Sequence, residues 1–279
     1  MSSYPILITG QNKINNNTFE YDFPSTVNLL DYDIALSDLS LYYSWYNISA
    51  VQNNNKFNII FPNGAGNTTY NLTIPDGTYS VGQLNEFLQA SFITLGLYLV
   101  NNTTGEYVYY AEFVENPTAY KIQVNLYPLQ TSLPAGFTNG GGIVFPTISR
   151  NPQLDITNSG FGTLIGFDLG TYPAVQVASI SNIVSTKTPQ LNPVSSVIMN
   201  VSCVNNPLAR NSQLLHVFTS AGVNYGSLIV SVPPELIWVP CSGTVNSIAV
   251  RFTDQNGNAL PIIDTDLTIK LLLKPKNNI

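Results

Sequence analysis

The stretch YDIALSDLSLYYSWYNI (Tyr32–Ile48) decides the fold. It is β-prone, and its only charges are Asp33 and Asp38. Ile34 and Leu36 share one side of an extended chain, whereas Leu39, Leu41, Tyr43 and Trp45 share the other. Successive side chains of a strand point to opposite faces. The change of phase therefore predicts a bulge near Ser37–Asp38 or burial on both faces. Tyr42, Tyr43, Trp45 and Tyr46 add large aromatic area. The stretch reads as a long inner strand against which other sheets pack.

Outward from it, the chain alternates repeatedly. Tyr4–Thr9 and Thr18–Pro24 precede it, the second ending at a proline, which suits a strand end. Phe57, Ile59 and Phe61 alternate up to the turn Pro62-Asn63-Gly64, and Thr69–Ile74 follows. The period then changes. In SVGQLNEFLQASFITL (Ser80–Leu95), Val81, Leu84, Leu88 and Leu95 form a helical stripe. Ser80 with Gln83 fits a capping box, and Gly96 is placed to stop the helix. Leu97–Val100 and Tyr107–Val114 flank a hairpin turn, Tyr120–Tyr127 alternates, and Pro128–Gly142 reads as a loop. Ile143–Ile148 reads as a short strand, GFGTLIGF (Gly160–Phe167) as a tight turn or one helical turn, and Ala174–Val184 is ambiguous. Strands return at Val194–Val204, Leu214–Thr219, Leu228–Val232, Leu236–Pro240, Ser247–Phe252 and Leu267–Leu273. Lys274, Pro275 and Lys276 read as a charged, proline-blunted sheet edge. Many strands with one clear helix predict an all-β protein: a jelly-roll β-sandwich with one amphipathic helix and extra β elements.

Composition narrows the function. Hydrophobic residues make up 44% of the 279 and charged residues only 9%, against about 25% charged in an ordinary soluble domain. The deficit predicts that much of the surface faces other protein. The net charge is −6 and the basic residues are scattered singly, which argues against nucleic-acid binding. No run approaches the ~18 apolar residues of a membrane span. The start, Met1-Ser2-Ser3-Tyr4, lacks a signal-peptide pattern, which predicts synthesis in the cytoplasm. There Cys203 and Cys241 are expected as free, buried thiols rather than a bridge.

No motif for chemistry emerges, and no catalytic, cofactor-binding or metal-binding residue is assigned. The single histidine, His216, alternates with Leu214 and Phe218 and has no triad companions in sequence. Asp254–Asn258 lacks the glycine and distal glutamate of a calcium loop and reads as a hairpin turn. Asp264 and Asp266 could serve a glycosidase or calcium, but read as loop and strand-start residues. Gly140-Gly141-Gly142 lacks the Lys-Ser/Thr of a phosphate loop.

Several segments together resemble one family. LSLYYSWYNI (Leu39–Ile48), IPDGTYSVGQLNEFLQ (Ile74–Gln89), GFGTLIGF (Gly160–Phe167), TPQLNPVSSVIMNVSCVNN (Thr188–Asn206) and SIAVRFTDQNGNAL (Ser247–Leu260) are similar, in the same order, to the minor capsid (penton) proteins of virophages and Polinton-like viruses. The resemblance implies a single jelly-roll capsid domain over residues 1–279, with residues 80–185 as a candidate insertion. It implies homopentamers at the five-fold vertices of an icosahedral virion, with a major double-jelly-roll capsid protein as the neighbour. Ring closure uses two different patches per subunit. Tyr43, Trp45, Tyr46, Pro233, Pro234 and Trp238 are the candidate interface residues, since aromatics are enriched at interfaces; each tryptophan fits a core equally well. The rival readings are a carbohydrate-binding jelly-roll module or viral attachment protein, and a β-sandwich glycosidase.

Overall fold

The computed structural model describes residues 3–276. The chain forms two compact units, one comprising the residues up to Trp45 together with those from Val194 onward, the other Tyr46–Pro193. The first unit begins with β1 (Tyr4–Thr9), β2 (Lys13–Asn15), β3 (Thr18–Asn28) and β4 (Tyr32–Tyr42). The second unit contributes β5 (Lys56–Asn63), β6 (Gly66–Thr73), α1 (Val81–Leu95), β7 (Leu99–Asn101), β8 (Tyr107–Val108), β9 (Ala111–Asn116) and β10 (Lys121–Leu126). It continues with β11 (Phe137–Asn139), β12 (Gln153–Ile156), α2 (Ser159–Ile165), β13 (Gly170–Tyr172) and β14 (Ser181–Val184). The first unit resumes with β15 (Val197–Val201), β16 (Leu214–Phe218), β17 (Leu228–Ser231), β18 (Val239–Pro240), β19 (Thr244–Asp254) and β20 (Leu267–Pro275).

The first unit consists of two antiparallel sheets. One has the order β1-β20-β4-β17, with β18 also on β4; the other runs β16-β15-β19-β3-β2. Each sheet gives one face to a common core. Ile8, Ile34, Leu39, Leu41, Ile269 and Leu271 come from the first sheet, and Phe19, Val197, Met199, Val250 and Phe252 from the second. The change of phase in β4 is a bulge. Lys270 pairs with Asp38 but Leu271 pairs with Leu36, so Ser37 stands unpaired.

Three expectations for this unit are corrected. β4 ends at Tyr42 rather than Ile48. The Tyr43 N–H still donates to the Ser227 carbonyl (3.0 Å), but Ser44 Oγ then accepts the N–H groups of Ile263 and Asp264 (both 3.0 Å) and draws the chain off the ladder. β3 runs through Pro24 to Asn28, because the register with β19 jumps between Val245 and Ser247 and leaves Pro24 in a stretch that needs no N–H. β20 is not an edge but lies between β1 and β4. Its lysines face acids across the ladder, Lys270 opposite Asp38 and Lys274 opposite Asp33, an arrangement of opposite charges that favours the register.

The second unit has its own core. Its sheets are β14-β10-β9, β11-β7-β8 and β13-β12-β5-β6, and both helices belong to it. Phe57 is the aromatic hub: it stacks on Phe161 (4.7 Å, 11°) and meets Phe113 (5.9 Å) and Phe87 (6.4 Å) edge-on. Helix α1 buries Val81, Leu84, Leu88 and Phe92. Its capping box is formed, Ser80 Oγ accepting from Gln83 N–H (3.3 Å) and Gln83 Oε1 from Ser80 N–H (2.9 Å). Gly96 ends it in the left-handed region (φ 70°), where a β-carbon is disfavoured. Ser80→Ala is expected to cost about 1 kcal/mol, read as a lower unfolding midpoint of this unit.

Of the two readings of Gly160–Phe167, a tight turn or one helical turn, the helical one holds: α2 runs over seven residues, with Asn158 Oδ1 capping the Phe161 N–H (3.0 Å). Residues 143–148 form no strand, because the turn after β5 engages them instead: the Gly64 N–H donates to the Val144 carbonyl (3.4 Å) and the Thr147 N–H to the Gly64 carbonyl (3.0 Å). The residues 80–185 singled out as a candidate insertion all fall within this unit. Near its two ends a buried amide joins the chain to itself. Asn47 Nδ2 donates to the carbonyls of Leu191 (2.7 Å) and Tyr79 (2.9 Å), while its Oδ1 accepts the Tyr79 N–H (2.9 Å).

Candidate interaction surface

The first sheet of the sandwich ends in β17 on one side and β1 on the other. Both carry apolar side chains outward. In LIVSV (Leu228–Val232), Ile229 points into the core, while Leu228, Val230 and Val232 are exposed, the two valines at 62% each. Residues 232–238 then leave the ladder and return to the same side of β4 at Val239. This excursion exposes Leu236 and Ile237, the latter at 66%. The only charge between Leu228 and Trp238 is Glu235. On the opposite edge, β1 exposes Tyr4 and Leu7 and carries no charge. A free edge is usually blunted by lysine, proline or a bulge; neither strand has the lysine, while Pro5 lies on β1 and Pro233-Pro234 follow β17.

The structure separates the candidate interface residues. Tyr43 and Trp45 lie in the core with their rings 4.5 Å apart, Trp45 only 1% exposed. They present no face to a neighbour, and the interface reading of these two is corrected: they continue the inward phase of Leu39 and Leu41. The Trp45 indole N–H has no acceptor among the described residues. Tyr46 is half-buried at the start of the second unit. Pro233, Pro234 and Trp238 are brought together on the excursion after β17. Pro234 is exposed, and Trp238 is half-buried with Lys274 Nζ 4.4 Å above its ring. Val230, Val232, Ile237, Tyr4 and Leu7 were not singled out from the sequence. The available signal was apolar residues in both phases of Leu228–Val232.

His216 sits on β16, the end strand of the second sheet, and Ser231 on β17, the end strand of the first. The His216 Nε2 and Ser231 Oγ atoms are 2.9 Å apart, so this hydrogen bond joins the two sheets at one margin of the sandwich. The imidazole also stacks on Phe218 (6.3 Å, 15°). Burial pulls its pKa below the ordinary 6.5. The folded state thus releases the proton at a pH where the unfolded state still holds it. This contribution to stability is complete above pH 6.5 and declines as the pH falls through 6.5 toward the folded value. The unfolding midpoint of the wild type should therefore drop more than that of His216→Gln between pH 7 and pH 5, as measured by tryptophan fluorescence.

Two of the acidic residues singled out from the sequence are occupied locally. The Asp254 carboxylate accepts the N–H groups of Asn256 and Asn258 (2.8 Å each) within its own hairpin. Asp264 Oδ1 accepts the Asp266 N–H (2.8 Å). Among the described residues no group of three or more His, Cys, Asp or Glu is placed to hold a metal ion, and no helix is long and apolar enough to cross a membrane.

Among solved structures, the chain is similar to the mavirus penton protein. The match covers 98% of both chains, with a TM-score of 0.45 and 10% sequence identity. No family model matches the chain, and no curated protein matches it.

Proposed function

We propose that the chain is a minor capsid protein of the penton type, which works by assembly rather than by chemistry. Five copies would close a ring at each vertex of an icosahedral virion and meet a major double-jelly-roll capsid protein around it. The single observation that carries this reading is the pair of apolar edges without lysine or arginine, β17 with its excursion and β1, at opposite ends of one sheet. A ring of identical subunits uses heterologous contacts, so each subunit must offer two different complementary patches. Exposed apolar clusters of this kind are uncommon on a monomer.

Two further features support the reading. In chain order the sandwich strands β1, β3, β4, β15, β16, β17, β19 and β20 switch sheets at every step except β15 to β16, a pair within one sheet, and so give the orders β1-β20-β4-β17 and β3-β19-β15-β16. That is the wiring expected of an eight-stranded jelly roll. The charged fraction of 9% is also low for a chain that stands alone in water.

The test is the mass of the purified protein by light scattering, with Val230→Asp and Ile237→Asp as variants. The wild type is expected as a five-fold assembly, alone or with the major capsid protein. Each variant is expected as a monomer with an unchanged unfolding midpoint, because both side chains are exposed. Variants that assemble as the wild type does would reject this edge as the contact. A wild type that stays monomeric even with the shell protein would reject the function.

The carbohydrate-binding reading is favoured by one observation. Tyr98, Tyr107 and Tyr109 cluster with ring separations of 4.8 and 6.4 Å beside an open groove of about 430 Å³ lined by Tyr109, Tyr110, Tyr127 and Phe137. Glycan-array binding that is lost in Tyr109→Ala would support it.

A further inference from the structure

Cys203 and Cys241 are the only cysteines of the chain, and the fold brings their Sγ atoms to 4.0 Å inside the core of the sandwich. One follows β15 and the other follows β18. The backbones that carry them are held on both sides. The Asn205 N–H donates to the Pro240 carbonyl (2.8 Å), the Ser242 N–H to the Cys203 carbonyl (2.8 Å) and the Cys241 N–H to the Tyr32 carbonyl (2.9 Å). A sulfur–sulfur bond measures ~2.05 Å, so closure requires the two sulfurs to move toward each other from this separation.

We propose that Cys203 and Cys241 are a cross-linking site that a peroxide closes: two thiols in a reducing compartment, one intrachain disulfide after oxidation. One of the two sulfurs, as the thiolate, attacks one oxygen of hydrogen peroxide. The O–O bond breaks, the hydroxide that leaves is protonated to water, and a sulfenic acid remains on that sulfur. The other sulfur then attacks it. The S–O bond breaks, the S–S bond forms, and a second water leaves with the proton of the second thiol. In balance, two thiols give up two electrons and two protons, and one peroxide becomes two waters.

The two sulfurs share one contact in which either can be the donor, so either can be the attacking sulfur and the other the resolving one. The closed loop contains β16, β17 and β18, and with them the apolar edge. A cross-link over 38 residues removes freedom chiefly from the unfolded chain.

Full-length protein is exposed to hydrogen peroxide under native conditions, then denatured, alkylated and weighed by intact mass spectrometry. The expected product has lost two hydrogens, takes up no alkylating reagent and runs as a single chain on a non-reducing denaturing gel. Its unfolding midpoint is raised by roughly 5 °C or more and returns to the starting value with dithiothreitol. Cys241→Ser is expected to show no such rise and to gain oxygen at Cys203. The proposal is overturned if both thiols of the wild type remain alkylatable, if the bond forms between chains, if oxygen is added without a cross-link, or if the cross-link lowers the midpoint.

Discussion

Phe57→Ala will unfold the second unit at a markedly lower denaturant concentration, with a loss of about 3–5 kcal/mol. Phe57 is 1% exposed and touches three other phenylalanine rings, so its removal empties the middle of a cluster. The stacked partner, Phe161, stands on a helix of only seven residues, which has little stability beyond its packing. A whole domain is stable by roughly 5–15 kcal/mol, so the loss is a large fraction of the total. The measurement can resolve the units, because both tryptophans, Trp45 and Trp238, belong to the first. Circular dichroism should show an early transition while tryptophan emission keeps its wild-type midpoint. Coincident, equally shifted transitions would mean that the two units unfold as one.

The second large effect is expected at Asn47. Its amide is 5% exposed and makes three hydrogen bonds to backbone groups of Tyr79 and Leu191. Alanine would leave two carbonyls and one N–H without that partner, at about 1–3 kcal/mol for each group that stays dry; about 3 kcal/mol in total is the expected loss. Asn47→Asp is the sharper variant. A carboxylate can still accept the Tyr79 N–H, but it turns two acceptor oxygens into repelling neighbours of an anion. It should be destabilised at least as much as Asn47→Ala at pH 7 and recover in part at low pH, when the acid can donate again. Equal midpoints for Asn47→Asp and the wild type would show that the amide contributes little.

Much of the fold was readable where local chemistry and packing agree. The Ser80–Gln83 box and Gly96 mark both ends of α1 to the residue, because caps are sequence-local. The phase change at Ser37–Asp38 marks the place of the bulge, and the register with β20 decides for the bulge over burial on both faces. The reading failed where the partner lies far along the chain. β12 has only four residues, with Asp155 among them, and its carboxylate is satisfied by Asn58 (2.9 Å) and Thr171 (3.0 Å), neighbours that periodicity does not reveal. Pro24 looked like a strand end because the broken register opposite it depends on β19, more than 200 residues away.

The surface was read less well than the core. Tyr43 and Trp45 were candidates for contact because they are aromatic, yet their phase already placed them with Leu39 and Leu41. The outward residues of β17 are small aliphatics, and their informative property is position, on an end strand without lysine. Strand order is what converts Val230 from an ordinary β residue into an edge residue, and strand order is not contained in any one segment.

The Asn47 amide has a further meaning for how such a chain can change. Because it ties Leu191 back to the first turn of residues 46–193, that block departs from and rejoins the sandwich sequence through neighbouring points. On the insertion reading, a block anchored this way is expected to accept enlargement or exchange by splicing at two sites, leaving the strands on either side as they are. Selection acting on what the block displays is thereby decoupled from selection acting on the scaffold that bears it.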